Sequence, residues 1–260
     1  MKNVFLAIHL AIFSFLLFFV QNDKPEAFSP PKISQLRIVQ DDKAQTISVF
    51  RLSGTTPILT QVAKKDFRPY LHPIMAPDGK GVITEYSPGH HKHQTGIYWG
   101  YTRVNGRDYF HHPEGDYWRK VSAKIIKAKG AEVKWQTVYD LLDEKGNAVL
   151  RETQTWTMQE KDGKYVLNVE WEGDAQTDVT ISKYDYGGLF VRMLWREGID
   201  GEVVNAARQK NEKAEGQRAM WVDAGMTIEG RKDRVHVAVF DHPENKGFPQ
   251  YWRVDGQLGI

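Results

Sequence analysis

Strand-like segments separated by short polar turns constrain the fold of this chain more than any other feature of its sequence. They cover residues 121–128, 131–142, 148–159 and 165–172, and the last two alternate apolar with polar side chains. The turn sequences DEKGN and EKDGK separate the last three segments. Because the side chains of a strand point alternately to its two faces, such segments suit strands with one buried face. Antiparallel strands joined by tight turns form a meander, so the pattern predicts an all-β fold.

The rest of the chain supports the same fold class. Further strand or extended segments are predicted at 45–52, 57–62, 67–75, 179–182, 188–195, 219–223 and 235–240. Residues 206–215 resemble a helix but are polar all round, which indicates a surface excursion. We therefore expect one all-β domain over residues 36–260, a large antiparallel β-sandwich or supersandwich. The apolar, glycine-containing run 249–260 resembles the middle of a strand, so we also expect C-terminal truncation.

The N-terminus is predicted to direct export. Lys2 precedes the almost wholly apolar run Val4–Val20, which is typical of a signal peptide at residues 1–22. No A-x-A cleavage pattern precedes Gln21, and the run lies near the lower limit of membrane-spanning length, so an uncleaved anchor is the alternative. Residues 23–35 are polar and rich in proline, as in a linker. We expect a periplasmic or cell-surface protein that contacts the membrane only through an uncleaved N-terminal segment.

Composition excludes several classes of function. The formal net charge is +2 and no basic stripe is present, which argues against a nucleic-acid partner. The chain has no cysteine, so disulfides, cysteine-ligated zinc, iron–sulfur clusters, thiol nucleophiles and a lipid-anchored cysteine are excluded. No phosphate-binding glycine motif and no βαβ spacing occurs, so we expect neither a nucleotide nor a flavin cofactor.

The stretch from Ser87 to Pro113, SPGHHKHQTGIYWGYTRVNGRDYFHHP, is the predicted functional region. It contains His90, His91, His93, His111 and His112. Asn-Gly at positions 105–106 is a strong hairpin signal, because both residues tolerate the positive φ of a two-residue turn. The arms of such a hairpin run antiparallel, so we expect the HHKH and HHP groups to lie near the same end.

These histidines suggest a divalent metal as one possibility. In an extended segment His91 and His93 share a face, so two imidazoles would need a third ligand from elsewhere. The third ligand would come from His72, His112, His242, Glu85 or Asp241. The spacing is not a specific metal signature, and a solvated histidine loop is the alternative.

Acid–base chemistry is the second possibility. His-Pro dipeptides hold His72, His112 and His242 in extended conformation, which suits strand ends at one rim of a sandwich. The Asp241 carboxylate is predicted to pair with His242 and to set its tautomer. His90 or His242 would then act as the acid, with Asp241 or Glu85 as the carboxylate base.

Aromatic residues and one arginine complete the predicted site. Trp99, Tyr101, Tyr251 and Trp252 are predicted to lie beside the histidines. Flat aromatic faces suit the apolar faces of sugar rings, and core packing is the alternative role for these residues. Arg192 interrupts the apolar run LFVRMLW and needs a partner if it is buried. That partner is either a carboxylate of the protein or an anionic or hydroxyl-rich ligand.

Several blocks of the sequence resemble one bacterial family. RPYLHPIMAPDGKGVITE, PGHHKHQTGIYWGYTRVNGRDYF, YGGLFVRM, QRAMWVDAGM, VAVFDHPEN and PQYWRV occur in the same order in the family labelled methane oxygenase PmoA, over the range from about Phe67 to the C-terminus. Members usually carry Asp-His-Pro-His-His where this chain has Gly-His-His-Lys-His at 89–93, which leaves His90 and His93 as the matching positions. The label itself implies a metal-dependent oxygenase.

The resemblance also bears on the substrate. Members are commonly found in Bacteroidetes and related bacteria beside sugar-degradation genes, and their strand pattern is similar to the supersandwich of galactose mutarotase-like proteins. That similarity implies sugar binding on a concave sheet, with a histidine acid and a carboxylate base near the C-terminus. The leading hypothesis is an exported carbohydrate-processing enzyme with mutarotase-like, lyase or hydrolase chemistry. A non-catalytic sugar-binding module and a metal-dependent oxygenase are the alternatives.

Overall fold

The computed structural model describes residues 6–9, 31–89, 91–194, 198–254 and 260. The strands are β1 Leu6–His9, β2 Leu36–Asp41, β3 Thr46–Arg51, β4 Leu59–Val62, β5 Tyr70–Ile74, β6 Ile97–Gly100, β7 Trp118–Lys127, β8 Lys129–Gly130, β9 Glu132–Leu142, β10 Ala148–Lys161, β11 Lys164–Ala175, β12 Gly188–Val191, β13 Gly201–Asn205, β14 Trp221–Thr227 and β15 Arg234–Phe240. Within these ranges the helical elements are two 3-10 turns, Gly115–Tyr117 and Asn211–Lys213. The predicted all-β fold is confirmed.

Three antiparallel sheets build the molecule. A five-stranded sheet has the order β1-β11-β10-β9-β7, and a seven-stranded sheet has the order β12-β6-β5-β4-β3-β2-β8. A three-stranded sheet, β13-β14-β15, follows along the chain. The long hairpin of β10 and β11 pairs from Leu150 with Ala175 to Lys161 with Lys164. This hairpin and its partner β9 form the meander that the sequence predicts.

The two large sheets pack face to face. Along β9 the burial alternates, and the inward side chains include Val133 and Trp135. They belong to one core cluster with Ile47, Val49 and Leu59 from the opposite sheet. The same cluster includes apolar residues from β13, β14 and β15, so the third sheet shares this core. Burial of these aliphatic and aromatic side chains is the main stabilisation of such a sandwich.

Some sequence-based boundaries are wrong. Residues 179–182 form no strand and contribute one isolated bridge, between Ile181 and Val104. Residues 206–215 form turns and a short 3-10 element, as expected for a surface excursion. The predicted signal segment lies outside the described residues except for Leu6–His9, which pairs with β11. Among the described residues no helix has the length and apolar character needed to cross a bilayer.

Candidate functional site

A cavity of about 750 Å³ lies between β6, β11, β12 and the segment that follows β15. Its aromatic lining residues are Trp99, Tyr101, Phe110, Trp171, Tyr186, Phe190, Tyr251 and Trp252. Its polar lining residues include His91, His93, Gln94, His111, Lys246 and Arg253. The volume suits a small organic ligand, and a mostly apolar wall with a few polar groups is typical of ligand sites. Residues of the predicted functional stretch therefore line the cavity.

The predicted Asn-Gly turn is present. Val104 and Arg107 pair across it through two backbone hydrogen bonds of 3.1 and 3.0 Å, and Asn105 and Gly106 have φ of 50° and 82°. Positive φ at both central residues is the reason that Asn-Gly suits this turn. The hairpin is short, because β6 pairs with β5 and β12 instead of with the segment after the turn. The predicted outcome still holds, since the rings of His93 and His111 lie 4.6 Å apart between centroids.

Asp108 positions His111. One carboxylate oxygen accepts the backbone N–H groups of Phe110 and His111, both at 3.0 Å. The other carboxylate oxygen lies 2.7 Å from Nδ1 of His111. A carboxylate at that distance favours the tautomer with the proton on Nδ1, which leaves Nε2 as an acceptor. The side chain thus presents a hydrogen-bond acceptor on its far side.

Tyr186 uses that acceptor. Its hydroxyl lies 2.9 Å from Nε2 of His111, so Asp108, His111 and Tyr186 form a continuous hydrogen-bonded chain that ends at the cavity wall. Burial raises the pKa of the Tyr186 hydroxyl to about 12, and the charge of nearby Arg253 opposes this rise. Gly187 and Gly188 follow with φ of 146° and 100°, a backbone turn that favours glycine and leads into β12.

His93 is a second imidazole on the lining. Partial burial, together with the charges of His111 and Arg68, lowers the pKa of His93 to about 4, so its ring is neutral at pH 7. Within the described part of the chain, neither ring nitrogen has a hydrogen-bond partner. His91 and His93 do not lie on the extended segment that was expected. They belong to a turn in which His91 N donates to Pro88 O, and their ring centroids are 6.0 Å apart.

Arg68 holds the two histidine segments together, and the sequence analysis missed it. Its guanidinium is fully buried and donates to the carbonyl of Phe110 at 2.6 Å and to the carbonyl of His93. It also lies over the ring of Tyr98, 3.5 Å from the centroid. Arg68 lies within the predicted extended segment 67–75, and the sequence gave no sign of this role because both acceptors are backbone carbonyls far along the chain.

The aromatic wall is built by stacking. Trp99 of β6 and Trp171 of β11 are 4.9 Å apart and nearly parallel, and Tyr101 meets Trp171 edge to face at 5.5 Å. Behind them Glu152 is completely buried, and its carboxylate accepts the Trp171 indole N–H at 2.9 Å. Burial raises the pKa of Glu152 to about 7. The expected aromatic platform therefore exists, although Trp99 contributes to the core as well.

Tyr251 and Trp252 also line the cavity. Tyr251 is the more open, with 68% of its surface exposed, and Arg218 lies over its ring at 5.1 Å. The Trp252 indole donates to the carbonyl of Ala219 at 2.6 Å, which fixes the ring. Both residues line the same cavity as the histidines, and the substrate contact predicted for them stays a prediction.

Other predicted residues have structural partners instead. Arg192 is buried and forms an ion pair of 2.7 Å with Glu85, and it also donates to Gln94 at 3.0 Å. Of the two partners considered for Arg192, the structure shows the protein carboxylate. Neither Arg192 nor Glu85 lines the cavity, so the roles proposed for them as substrate contact and base are not supported by their position. Arg192 instead holds Gln94 in place, and Gln94 does line the cavity.

The predicted pairing of Asp241 with His242 is wrong. Asp241 accepts the side-chain amide of Asn245 at 2.7 Å and the backbone N–H of Gln250 at 2.8 Å. Nδ1 of His242 instead accepts the backbone N–H of Glu244 at 3.2 Å, and His242 does not line the cavity. Consecutive residues at the end of a strand point to opposite sides, which separates the two side chains. Asp241 therefore shapes the loop that carries Gln250.

His72 also lies off the cavity. Its Nδ1 is 2.9 Å from the hydroxyl of Thr84, and burial lowers its pKa. His90 lies outside the described residues, so the structure does not place it. Among the residues that are described, no three histidine or acidic side chains are arranged to hold a metal ion. The metal hypothesis for His91 and His93 lacks a third ligand there and stays a prediction.

Comparison with known proteins identifies the family but no activity. A family model described as a family of unknown function, DUF6807, matches residues 49–260. The chain belongs to this family. No curated protein and no solved structure matches the chain. The matched range includes every strand from β4 onwards and every described residue of the cavity lining, so the candidate site is part of the family domain.

Proposed function

We propose that the protein is a carbohydrate-processing enzyme that uses Tyr186 for proton transfer at the cavity wall. The observation that carries the proposal is the chain from Asp108 through His111 to the Tyr186 hydroxyl. A carboxylate-oriented imidazole that accepts from a hydroxyl raises the basicity of that hydroxyl oxygen, because the proton has a ready acceptor. The ring-opening, lyase and hydrolase reactions of sugars all need such proton transfer.

His93 supplies a second group for the same chemistry. A neutral imidazole carries both an acceptor and a donor, so it can donate its ring N–H to one substrate atom while Tyr186, whose own proton passes to His111, takes a proton from another. Both residues line the cavity, and the His93 ring lies beside His111. These two residues replace His242, Asp241 and Glu85 as the proposed proton-transfer groups.

The aromatic wall suits a sugar. A pyranose ring has apolar C–H faces and hydroxyl edges, and the cavity offers Tyr101, Tyr251 and Trp252 together with the polar groups His91, Gln94 and Lys246. The same wall would serve a non-catalytic sugar-binding module, which is the competing function. The two differ in whether Tyr186 is needed for turnover.

One experiment separates these functions. The protein and the Tyr186→Phe variant are assayed against a panel of mono- and oligosaccharides, with thermal shift for binding and product analysis for turnover. We expect the variant to bind the sugar but to lose turnover by about 10²-fold or more, since general acid–base groups contribute on that scale. Tyr86→Phe, at an exposed tyrosine that does not line the cavity, is the matched control and keeps turnover.

Two results would contradict the enzyme. Sugar binding without turnover by the unmodified protein supports the binding module, and no response to any sugar removes both carbohydrate functions. Export is proposed on the apolar residues 4–20 and is tested separately by cell fractionation of the full chain and of a chain lacking residues 1–22. The same location for both would contradict export.

A further inference from the structure

The cavity lining contains a continuous apolar wall. It consists of Val169, Val191, Val239 and Ile260, which are all buried and belong to one hydrophobic cluster. The half-buried Leu189 packs against the same cluster and also lines the cavity. Three strands, β11, β12 and β15, contribute to this wall, and the backbone of Ile260 is hydrogen-bonded to that of Val191. Sheet packing therefore presents one aliphatic surface to the cavity.

The proposed proton-transfer groups form a separate part of the lining. The ring centroids of His93 and His111 are 4.6 Å apart, and the Tyr186 hydroxyl lies 2.9 Å from Nε2 of His111. All three rings pack around Phe110, which belongs to a different hydrophobic cluster from the apolar wall. The cavity is thus divided into a part with polar groups and an aliphatic part.

This division determines which ligand group suits the apolar wall. Two buried polar residues of the lining are hydrogen-bonded within the protein: Gln94 accepts from Arg192 at 3.0 Å, and Asp241 accepts from Asn245 at 2.7 Å. A sugar hydroxyl moved from water onto aliphatic carbon loses hydrogen bonds, which is unfavourable. An apolar group gains in proportion to the area that leaves water. The wall therefore favours an apolar group over a second sugar ring.

We infer that the substrate is a glycoside with an apolar aglycone, such as an aryl group; this rests on the proposed carbohydrate function. The sugar would lie at His93 and Tyr186. The aglycone would lie against Val169, Val191 and Val239. The cavity volume of about 750 Å³ falls within the range of about 300 to 1,000 Å³ that encloses drug-sized ligands. Such a volume has room for a ring system in addition to one sugar.

The test compares glycosides that differ only in the aglycone. Titration calorimetry on the whole protein measures the binding of methyl and phenyl glycosides of the same sugar and anomer, in the glucose, galactose, mannose and xylose series. Disaccharides of the same sugars supply a polar group in place of the phenyl ring. We expect the phenyl glycoside to bind at least about tenfold more tightly than the methyl glycoside or the disaccharide. Its heat-capacity change should be more negative, because more apolar surface is buried.

Val239→Thr tests the wall itself. Threonine keeps the shape of valine but adds a hydroxyl, so we expect the preference for the phenyl glycoside to fall by about threefold or more. Val222→Thr is the matched control, because Val222 is buried and pairs with Val239 across β14 and β15 but does not line the cavity. It should keep the preference. Leu189→Gln, at a half-buried position of the wall, gives the same measurement if thermal unfolding shows that Val239→Thr does not fold.

Failure of this inference is distinguishable from failure of the proposed function. Equal binding of methyl and phenyl glycosides overturns the apolar aglycone and leaves carbohydrate processing intact. A preference that is unchanged in Val239→Thr and in Leu189→Gln also overturns the inference, because the aglycone would lie elsewhere. Phenol that binds as tightly as its glycosides overturns it as well, since the sugar then adds nothing. Absence of binding by every glycoside overturns the inference together with the proposed function.

Discussion

The rings of His93 and His111 lie 4.6 Å apart although the residues come from opposite sides of a turn. The carbonyl of His93 and that of Phe110, the neighbour of His111, both accept hydrogen bonds from the buried guanidinium of Arg68. One arginine therefore fixes the separation of the two histidine segments. This arrangement places His93 beside the chain that ends at Tyr186.

Arg68→Lys tests this link. A lysine keeps the charge but cannot reach two carbonyls with a planar fork, so buried acceptors lose partners. We expect the free energy of unfolding to fall by about 2 to 4 kcal/mol in urea titrations. Arg208→Lys, at an exposed position, is the control and should change it by less than about 0.5 kcal/mol. Equal stability of both variants would mean that Arg68 does not hold the segments.

Gly96 is the second test, because the backbone there has no room for a side chain. Its φ is 71°, and a Cβ at this position would lie 2.1 Å from the carbonyl oxygen of Leu71 on the neighbouring strand. Gly96→Ala should lower the free energy of unfolding by about 3 kcal/mol or more, since both backbone strain and displacement of β5 contribute.

Gly79 provides the matched control for that substitution. Its φ is 80°, similar to that of Gly96, but nothing lies within 4 Å of the added Cβ. Gly79→Ala should therefore cost about 1 kcal/mol, the backbone term alone. If thermal or chemical unfolding shows the same loss for both variants, the close contact with Leu71 is not present in solution.

Glu152 should make stability depend on pH. Burial raises its pKa from 4.5 to about 7, so between those values the unfolded chain releases a proton that the folded chain retains. The free energy of unfolding therefore falls as pH rises through this window. The loss levels off above pH 7 at about 3 kcal/mol, at about 1.4 kcal/mol per pKa unit.

Glu152→Gln removes this titration. We expect the stability of the variant, relative to the unmodified protein in parallel urea titrations, to increase from about pH 5 to about pH 8. This pH range covers most of the interval between the two pKa values of Glu152, 4.5 and about 7. Gln154→Glu is not a suitable control, because it adds a second buried carboxyl. Glu144→Gln, on the exposed turn between β9 and β10, is suitable and should leave the pH dependence unchanged.

Substitutions at Asp241 and His242 distinguish a structural role from a catalytic role for these two residues. Asp241→Asn replaces an acceptor of two hydrogen bonds by a group with one acceptor oxygen, so we expect a loss of about 1 to 3 kcal/mol in stability. His242→Gln changes a side chain off the cavity and should retain both stability and sugar turnover. Loss of turnover in His242→Gln with unchanged folding would restore the catalytic role that the sequence suggested.

Local features of the fold could be predicted from the sequence. The meander from β9 to β11 follows from alternation and from two polar turns, which act within a few residues. The Asn-Gly turn follows from the φ that its two residues tolerate. The gathering of histidine groups follows from that turn, although the strands beside it pair differently from what we expected.

The site chemistry depended on contacts that local rules do not reach. Tyr186 meets His111 across 75 positions of sequence, and Arg192 meets Glu85 across 107. Neither pair has a fixed spacing, because each is set by the register of β12 on β6 and by the packing of the sheets. The sequence by itself therefore determined the all-β class, the turns and one stretch that lines the candidate cavity. Only the tertiary structure decided which polar side chains reach the cavity, because burial and sheet register select one partner among many of equal local plausibility.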